Sequence, residues 1–402
     1  MIGAGAAGMV AAIFAASRGA ETLLLERTRD GGRKILISGG GRCNVLPASV
    51  DERRFVTDSS PNTLRNFVRS WPLADQIAFF ERDVGVRLAE ETESAKLFPV
   101  SNRARDVRDG LLALAGRRGV RFLPDSFVTD VAPVPGGGWR VSLDGAGPLD
   151  ADAVIMATGG LSVPTTGSDG RGLEVLARLG HVVHPTYAAL TPLLADSGPF
   201  GELAGVSVAV EISAEDGDRR ATGRGGFLFT HRGYSGPSVL DISHVAVRSR
   251  HAGGGRAVVR MRWGQVDAAD WEAALAPRGT RTVAGAVRSL LPDRLADVLI
   301  RRAGLDATRP LAQLRREERR RLLETLTHDL LPWSGDEGYR KAEVTGGGVS
   351  LAEVNPRTLE SRRHPGLFLC GELLDAFGPI GGYNFLWAWA TGRLAGIGVT
   401  SQ

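Results

Sequence analysis

The chain reads as an α/β protein: a parallel sheet built from βαβ units and interrupted by a β-rich and a helical subdomain. Three observations predict it. Gly3-Ala4-Gly5-Ala6-Ala7-Gly8 matches G-x-G-x-x-G and opens a run of small, apolar residues. Thr22-Leu23-Leu24-Leu25-Glu26 reads as a buried parallel strand ending in an acid. A second strand–glycine–helix passage, residues 366 to 397, closes the chain. Strands separated by helical patterns indicate βαβ connections and a Rossmann-like sheet.

In such a unit the first glycine turns the chain out of a strand. The second lets backbone approach a pyrophosphate, and the third lets helix and strand pack closely. The anion then sits at a helix N-terminus, where free N–H groups and the dipole favour it. Met9 to Arg18 is the predicted helix, Gly19 its C-cap, and Glu26, 18 residues after Gly8, the acid for a ribose hydroxyl. Only Met1 and Ile2 precede Gly3, whereas a strand there normally supplies about five residues. The expectation is a start cut short of its first strand. Cooperative folding of the 402 residues with cofactor retained would refute it.

A length of 402 residues predicts two or three domains, and 43% hydrophobic with 23% charged residues is ordinary for a globular chain. The net charge is +4 and the pI about 9.4. Arginines are spread along the chain, and the run Arg315 to Arg321 mixes signs, which predicts a solvated helix face and no nucleic-acid partner. Two cysteines, Cys43 and Cys370, make no disulfide framework and suit a reducing, cytoplasmic setting. No run of 18 apolar residues argues for a membrane span. His181, His184, His244, His251, His328 and His364 lack ligand spacing with acids or cysteines, so no metal is expected.

After Glu26, residues 30 to 44 (DGGRKILISGGGRCN) read as a glycine-dense loop carrying Arg33, Lys34 and Arg42, able to lie against a planar or phosphorylated ligand. Residues 61 to 118 look mostly helical, with 97 to 104 a loop between two helices. Ser126 to Val131 and Trp139 to Leu143 alternate as strands about a turn at Gly136 to Gly138. Asp152 to Gly160 is a buried strand with a glycine turn. From about 191 a period of two appears: Val206, Val208, Val210 and Ile212 alternate with Ser207, Ala209 and Glu211. Gly226 to Thr230 and Ala257 to Trp263 are further strands, and 267 to 331 is helical. The predicted domains are 1–190 with 344–402, a β-rich subdomain at 191–265 with 334–343, and a helical subdomain at 266–333.

Two helix starts after glycines, far apart in sequence, predict one extended ligand held at both ends. A nicotinamide dinucleotide needs one βαβ unit; FAD needs further segments to grip its isoalloxazine. Gly371-Glu372 would reach the ribityl or pyrophosphate region and the helix start at Tyr383-Asn384 the flavin pyrimidine, where a positive helix end stabilises charge on reduced flavin. The runs Gly3–Gly8, 32–44, LFPVSNRARDV at 97–107, MATGG at 156–160 and TGSDGRG at 166–172 resemble the BaiN-like NAD(P)/FAD-dependent oxidoreductase family, the aminoacetone oxidase-type flavoproteins. So do LFTHRGYSGP at 228–237, AEVTGGGV at 342–349 and CGELLDAFGPIGGYNFLWAWATG at 370–392.

That resemblance implies a Rossmann-like two-dinucleotide-type FAD-binding fold interrupted by a β-rich subdomain and a helical subdomain. It implies FAD contacts at Gly3, Gly5, Ala7 and Gly8, at Glu26 and Arg27, and along Ser38, Gly39, Gly40, Gly41, Arg42, Cys43 and Asn44. It puts Val128 near the adenine and Ala157, Thr158 and Gly159 at the phosphates. Gly371, Glu372 and Asp375 meet the ribityl, and Gly382, Tyr383 and Asn384 the flavin. Ala6 in the glycine turn and Lys34 in the loop complete the candidate set.

The expected activity is that of an FAD-dependent oxidoreductase moving a hydride between a small organic substrate and flavin N5, with NADH or NADPH the candidate electron donor. A flavin-dependent RNA-modifying enzyme and a non-catalytic flavin-binding redox protein are the alternatives. His231, in Thr230-His231-Arg232-Gly233-Tyr234-Ser235, is the candidate catalytic acid–base residue on a substrate-facing loop, although a structural histidine fits the same pattern. Cys43 beside Arg42 reads as a cofactor-loop cysteine before an activated thiol, and Cys370 as packing. Trp387 and Trp389 read as core, with one of them a candidate to touch the flavin.

Overall fold

A computed structural model of the chain describes all residues except 197, 199, 252–254, 278 and 402, and the side chain of His251 also lies outside the described residues. It folds as two compact units, Met1–Thr186 with Val344–Gln402, and Tyr187–Glu343.

The first unit is organised by four short parallel strands: β1 Leu23–Leu25, β2 Arg121–Leu123, β3 Val154–Met156 and β4 Leu367–Leu369. β1 pairs with β2, and β3 with β4. Ile2 joins the two pairs. It bridges Leu25 on one side and Met156 on the other, both in parallel. Its N–H donates to Ile155 O at 3.0 Å, its carbonyl accepts from Ala157 at 2.9 Å, and Leu25 N–H reaches Met1 O at 2.9 Å. Ile2, 5% exposed, thus stands between the two strand pairs where the first strand is expected. Burying an isoleucine side chain there contributes roughly 1.5–3 kcal/mol. The resulting order, β2-β1-Ile2-β3-β4, is a parallel sheet with βαβ crossovers, as the sequence predicts.

Helix α1, Ala6–Ser17, ends where Gly19 takes φ +93°. Helix α2, Tyr383–Gly398, lies along it. Both are mostly apolar and mostly buried, with Arg393 of α2 lying over the Phe14 ring and donating to Ser70 O. A Cβ on Gly392 would stand 2.4 Å from Ala7 O, and one on Gly396 would stand 2.3 Å from Ala11 O, so the two helices touch backbone to backbone. The pairs 7/392 and 11/396 advance together, so the helices run the same way. At 1.5 Å per residue the start of α2 lies roughly 12 Å beyond the start of α1.

Two local expectations are corrected. Residues 33 to 41 are not an open loop. Arg33–Ile37 is a short helix and Ser38–Gly41 a 3-10 turn, because Ile35 is fully buried and anchors the segment. Residues 97 to 99 are not loop either. Lys96–Pro99 pairs antiparallel with Leu88–Glu91 and with Leu46–Pro47, burying Leu97 and Phe98. This hairpin interrupts the predicted helical stretch after Pro61–Arg69, Leu73–Ala78 and Phe79–Val84, and helix Ala104–Arg117 follows it. Val128–Pro133, Trp139–Leu143 and Ala146–Ala151 form an antiparallel meander.

The second unit is a seven-stranded antiparallel sheet. In spatial order its strands are Asp329–Leu330, Val258–Trp263, Ser207–Asp216, Arg219–Thr230, Gly233–Ser235, Leu193–Leu194 and Gly335–Asp336. Val210, Ile212, Phe227, Phe229, Met261 and Trp263 point to one face. There they share a single apolar core with Trp271, Val287, Leu295, Leu299, Leu322 and Leu326 from the helices between 268 and 327. The helical stretch expected at 266–333 is thus packed into the same unit as the strands. The mixed-charge segment is helix Arg316–Thr327, with Leu322 and Leu326 inward and Arg316, Arg320 and Arg321 exposed. Among the described residues no helix is long and apolar enough to cross a membrane.

Candidate cofactor site

The three glycines of the opening turn do three different things. Gly3 has φ +97°, and a Cβ there would meet Ala157 O at 2.5 Å. A Cβ on Gly8 would meet Gly3 O at 1.9 Å, so this position holds helix and turn in contact. Gly5 has nothing within 4 Å. It is the N-cap of α1, it offers no side-chain cap, and the first turn holds no acid. No side chain caps the first-turn N–H groups of Ala6, Ala7 and Gly8, which lie at the positive end of a buried helix.

Among the described residues two buried oxygens of the candidate set lack a hydrogen-bond partner: Thr158 Oγ1, on a residue packed against Gly3, and Asn44 Oδ1, on a residue packed against Gly39. A lost hydrogen bond at a buried polar atom costs on the order of 1–3 kcal/mol, so such atoms in a native fold mark a missing partner. Gly172 leaves room for the Thr158 hydroxyl, since a Cβ would come within 1.9 Å of it. Gly39, Gly40 and Gly41 are exposed, with φ +57°, +68° and +86°.

The second helix start repeats the pattern. Gly382 caps α2 at φ +92° with no side-chain cap and no acid in the first turn. A Cβ there would strike Leu46 C at 2.4 Å. Tyr383 is buried, its hydroxyl donating to Ser49 O and accepting from Asp51 N, both at 3.3 Å. Asn384 turns back on the preceding loop, accepting from Gly378 N at 2.9 Å and donating to Gly378 O at 3.0 Å. A bare glycine turn, two uncapped helix ends offset by about 12 Å along their axes, and two orphaned oxygens fit an extended dinucleotide such as FAD. Ala6, Ala7 and Gly8 would hold its pyrophosphate, Thr158 and Asn44 would offer hydrogen bonds, and Tyr383 and Asn384 would stand at its ring.

Each of the three candidate acids also has protein partners. Glu26 Oε2 accepts from Ala4 N at 2.8 Å, and Oε1 accepts from Thr28 N at 2.9 Å and Thr28 Oγ1 at 2.7 Å. Glu26 thus braces the glycine turn, and one lone pair on Oε2 is left for a ligand. Glu372 is met by Lys34 Nζ at 2.6 Å, Ser162 Oγ at 2.7 Å and Thr345 N at 2.9 Å. Burial opposes its ionisation, but the Lys34 charge and these hydrogen bonds outweigh it and hold the carboxyl below the usual range. Asp375, 1% exposed, accepts on Oδ2 from Thr57 Oγ1 at 2.9 Å, Asp58 N at 2.9 Å and Ser59 Oγ at 2.8 Å. Ser162, Thr345, Thr57 and Ser59 escaped the sequence reading. Hydroxyls that serve a distant carboxylate leave no spacing signal.

Arg27 pairs with Asp169 at 2.5 Å and lies 4.5 Å from the Phe127 ring centroid, beside half-buried Val128. Arg42 pairs with Glu91 at 2.8 Å and covers Phe98 at 4.1 Å. Cys43 is fully buried at φ +64°, and burial pushes its thiol up to about 12 despite a Ser38 hydrogen bond, which excludes an activated thiol. Cys370 is raised to about 12 by burial as well. Both cysteines should therefore resist iodoacetamide in the native protein at pH 8 and react on unfolding; labelling of native Cys43 would contradict this. Trp387 and Trp389 are core, their indole N–H groups donating to Gly371 O and Val45 O, each at 3.0 Å. His231 stands in the second unit, exposed on the two-residue turn between Arg219–Thr230 and Gly233–Ser235.

Residues 1–398 match the family model described as HI0933-like protein Rossmann domain. The chain is 33% identical to the ribosomal RNA dihydrouridine synthase of Escherichia coli (strain K12), over 97% of this chain and 95% of that one. It is 32% identical to the 3-dehydro-bile acid delta(4,6)-reductase of Clostridium scindens, over 98% and 97%. Its fold resembles that of 3-ketosteroid delta1-dehydrogenase from Sterolibacterium denitrificans in complex with 1,4-androstadiene-3,17-dione. The TM-score is 0.53 and the identity 11%, over 100% of this chain and 98% of that one.

Proposed function

We propose, from the premise that this chain belongs to the HI0933-like family of Rossmann-domain proteins and is an FAD-dependent oxidoreductase, that it reduces a carbon–carbon double bond conjugated to a carbonyl in a small organic molecule. The observation that carries the reading is the pair of uncapped helix ends on touching helices. One would take the pyrophosphate. The other would place positive potential at the flavin pyrimidine, where negative charge gathers on reduction. FAD would supply the hydride chemistry, and the protein would supply orientation and field. Read as chemistry, the names of both relatives describe saturation of a double bond conjugated to a carbonyl, in a uracil ring or a steroid. A uracil within RNA is accordingly a second reading, favoured by the 33% identity to the E. coli relative.

The test is anaerobic stopped-flow. The purified protein should carry the oxidised-flavin absorbance band, bleach with NADH or NADPH, and recover its colour on adding 2-cyclohexen-1-one. Recovery with uridine-containing ribosomal RNA and not with the enone would move the assignment to RNA. Recovery with oxygen alone would overturn both readings.

A further inference from the structure

Asp375 poses a physical problem. Its side chain is almost fully buried, and among the described residues no lysine or arginine lies within 4 Å of it. An isolated buried carboxylate is costly, and such groups are normally paired with a cation. The cationisable group at hand is His184, whose Nε2 is 3.7 Å from Asp375 Oδ2 and 3.4 Å from Ser59 Oγ. Ser59 sits between them, donating to Asp375 at 2.8 Å while accepting from Leu351 N at 3.0 Å. Ser350 Oγ also lies 3.4 Å from Ser59 Oγ, but with the Ser59 proton committed to Asp375 a hydrogen bond between His184 and Ser59 requires the proton on Nε2. The other ring nitrogen, Nδ1, has no partner among the described residues, and the side chain is 25% exposed.

The place of this chain of groups matters as much as its chemistry. Asp375 N–H donates to Val349 O at 2.9 Å. Its loop runs directly to Gly382, the uncapped start of α2 where the flavin ring is placed above. The segment of His184 is held tight against the same region: Gly347 is close enough to Pro185 that a Cβ would stand 2.3 Å from its carbonyl oxygen. One nitrogen of the imidazole is therefore fixed through a hydroxyl to Asp375, a candidate cofactor residue, and the other has no partner among the described residues.

We infer that His184 is the proton donor of the reduction, with Ser59 and Asp375 as its positioning residues. The inference rests on the reading of the substrate as a conjugated carbonyl compound. FAD, when bound and reduced, would supply a hydride to the β-carbon as the double bond opens. Water at the exposed edge of the ring first protonates Nδ1, giving an imidazolium; the enolate takes that Nδ1 proton at its α-carbon, and His184 returns to the neutral Nε2–H form held by Ser59. The net change is addition of two hydrogens across the double bond, with a nicotinamide as the reductant that restores the flavin. His231 lies on an exposed turn with no carboxylate partner among the described residues, and so serves as the comparison.

His184→Gln should keep its flavin and its melting temperature, and should be reduced by the nicotinamide at the wild-type rate. Its reoxidation by 2-cyclohexen-1-one should slow about 100-fold, the low end of what general acid catalysis supplies. Ser59→Ala should slow the same step by less, and His231→Gln should leave it near wild type. A readout independent of turnover is long-range proton–nitrogen NMR on protein with labelled histidines. The His184 signals should show the Nε2–H tautomer, and Ser59→Ala should lose that preference. Reoxidation of His184→Gln at the wild-type rate overturns the inference and leaves the reading of function standing, as does a wild-type His184 without tautomer preference. Failure of every conjugated acceptor to oxidise the wild-type flavin overturns both.

Discussion

Valine at Gly392 is expected to empty the protein of flavin and to lower its melting temperature steeply. The Cβ alone would lie 2.4 Å from Ala7 O, and the two γ-methyl groups have no space to enter. The obstacle is helix backbone, which cannot rotate away, so the cost should exceed the roughly 1–3 kcal/mol typical of an overpacked side-chain core. The displaced element is α1, whose first turn supplies the N–H groups at the candidate pyrophosphate position. Stability and cofactor retention should therefore fall together. Thermal melts with flavin quantified after desalting check this. Flavin retained at wild-type stoichiometry in a folded Gly392→Val protein would mean that the α1–α2 contact does not set the site. Gly5→Ala is the informative contrast. Nothing lies within 4 Å of that position, so it should weaken flavin binding while leaving the apoprotein melt almost unchanged.

The second large effect is expected at Lys34. Removing its ammonium by Lys34→Met leaves Glu372 three-quarters or more enclosed with hydroxyl and amide partners only. Breaking one side of a buried ion pair costs roughly 3–5 kcal/mol, and the partial exposure of both groups brings the expectation to about 2–3 kcal/mol. Replacing both, Lys34→Met with Glu372→Gln, should recover part of the loss, because the stranded charge is then gone. The pH dependence has a definite sign. The Glu372 carboxyl is held below its ordinary range in the folded protein. The stability it contributes is therefore fully present above an unfolded-state value of about 4.3 and is lost as pH falls through the lower folded value. Urea melts of wild type and the double variant should converge on acidification below about pH 4. Parallel curves down to the acid limit would show that the pair does not contribute.

The parallel sheet, the helix behind the glycine turn and the antiparallel second unit were legible because each follows a backbone period or a glycine requirement. Gly3, Gly5 and Gly8 could be assigned their roles before any coordinates, since a tight turn, an open approach and a close helix contact each exclude a side chain for a separate reason. Residues 33–41 and 96–99 were misread for a common cause: local composition favoured loop, and burial of Ile35, Leu97 and Phe98 against distant partners overrode it.

Ile2 shows the division most clearly. By sequence it is one apolar residue before a glycine; in the fold it completes the sheet, because parallel hydrogen bonds from Leu25 and Met156 converge on it from both sides. The acids divide in the same way. Sequence puts Glu26 at a ribose and Glu372 near the ribityl, and the family resemblance adds Asp375 beside it. Only the tertiary structure decided that Glu26 braces a turn, that Glu372 belongs to Lys34, and that Asp375 stands behind Ser59 and His184. The residues that answer those charges come from segments up to 338 positions away. A carboxylate's partner is chosen by proximity in a low-dielectric interior, and that proximity exists only once the chain has folded.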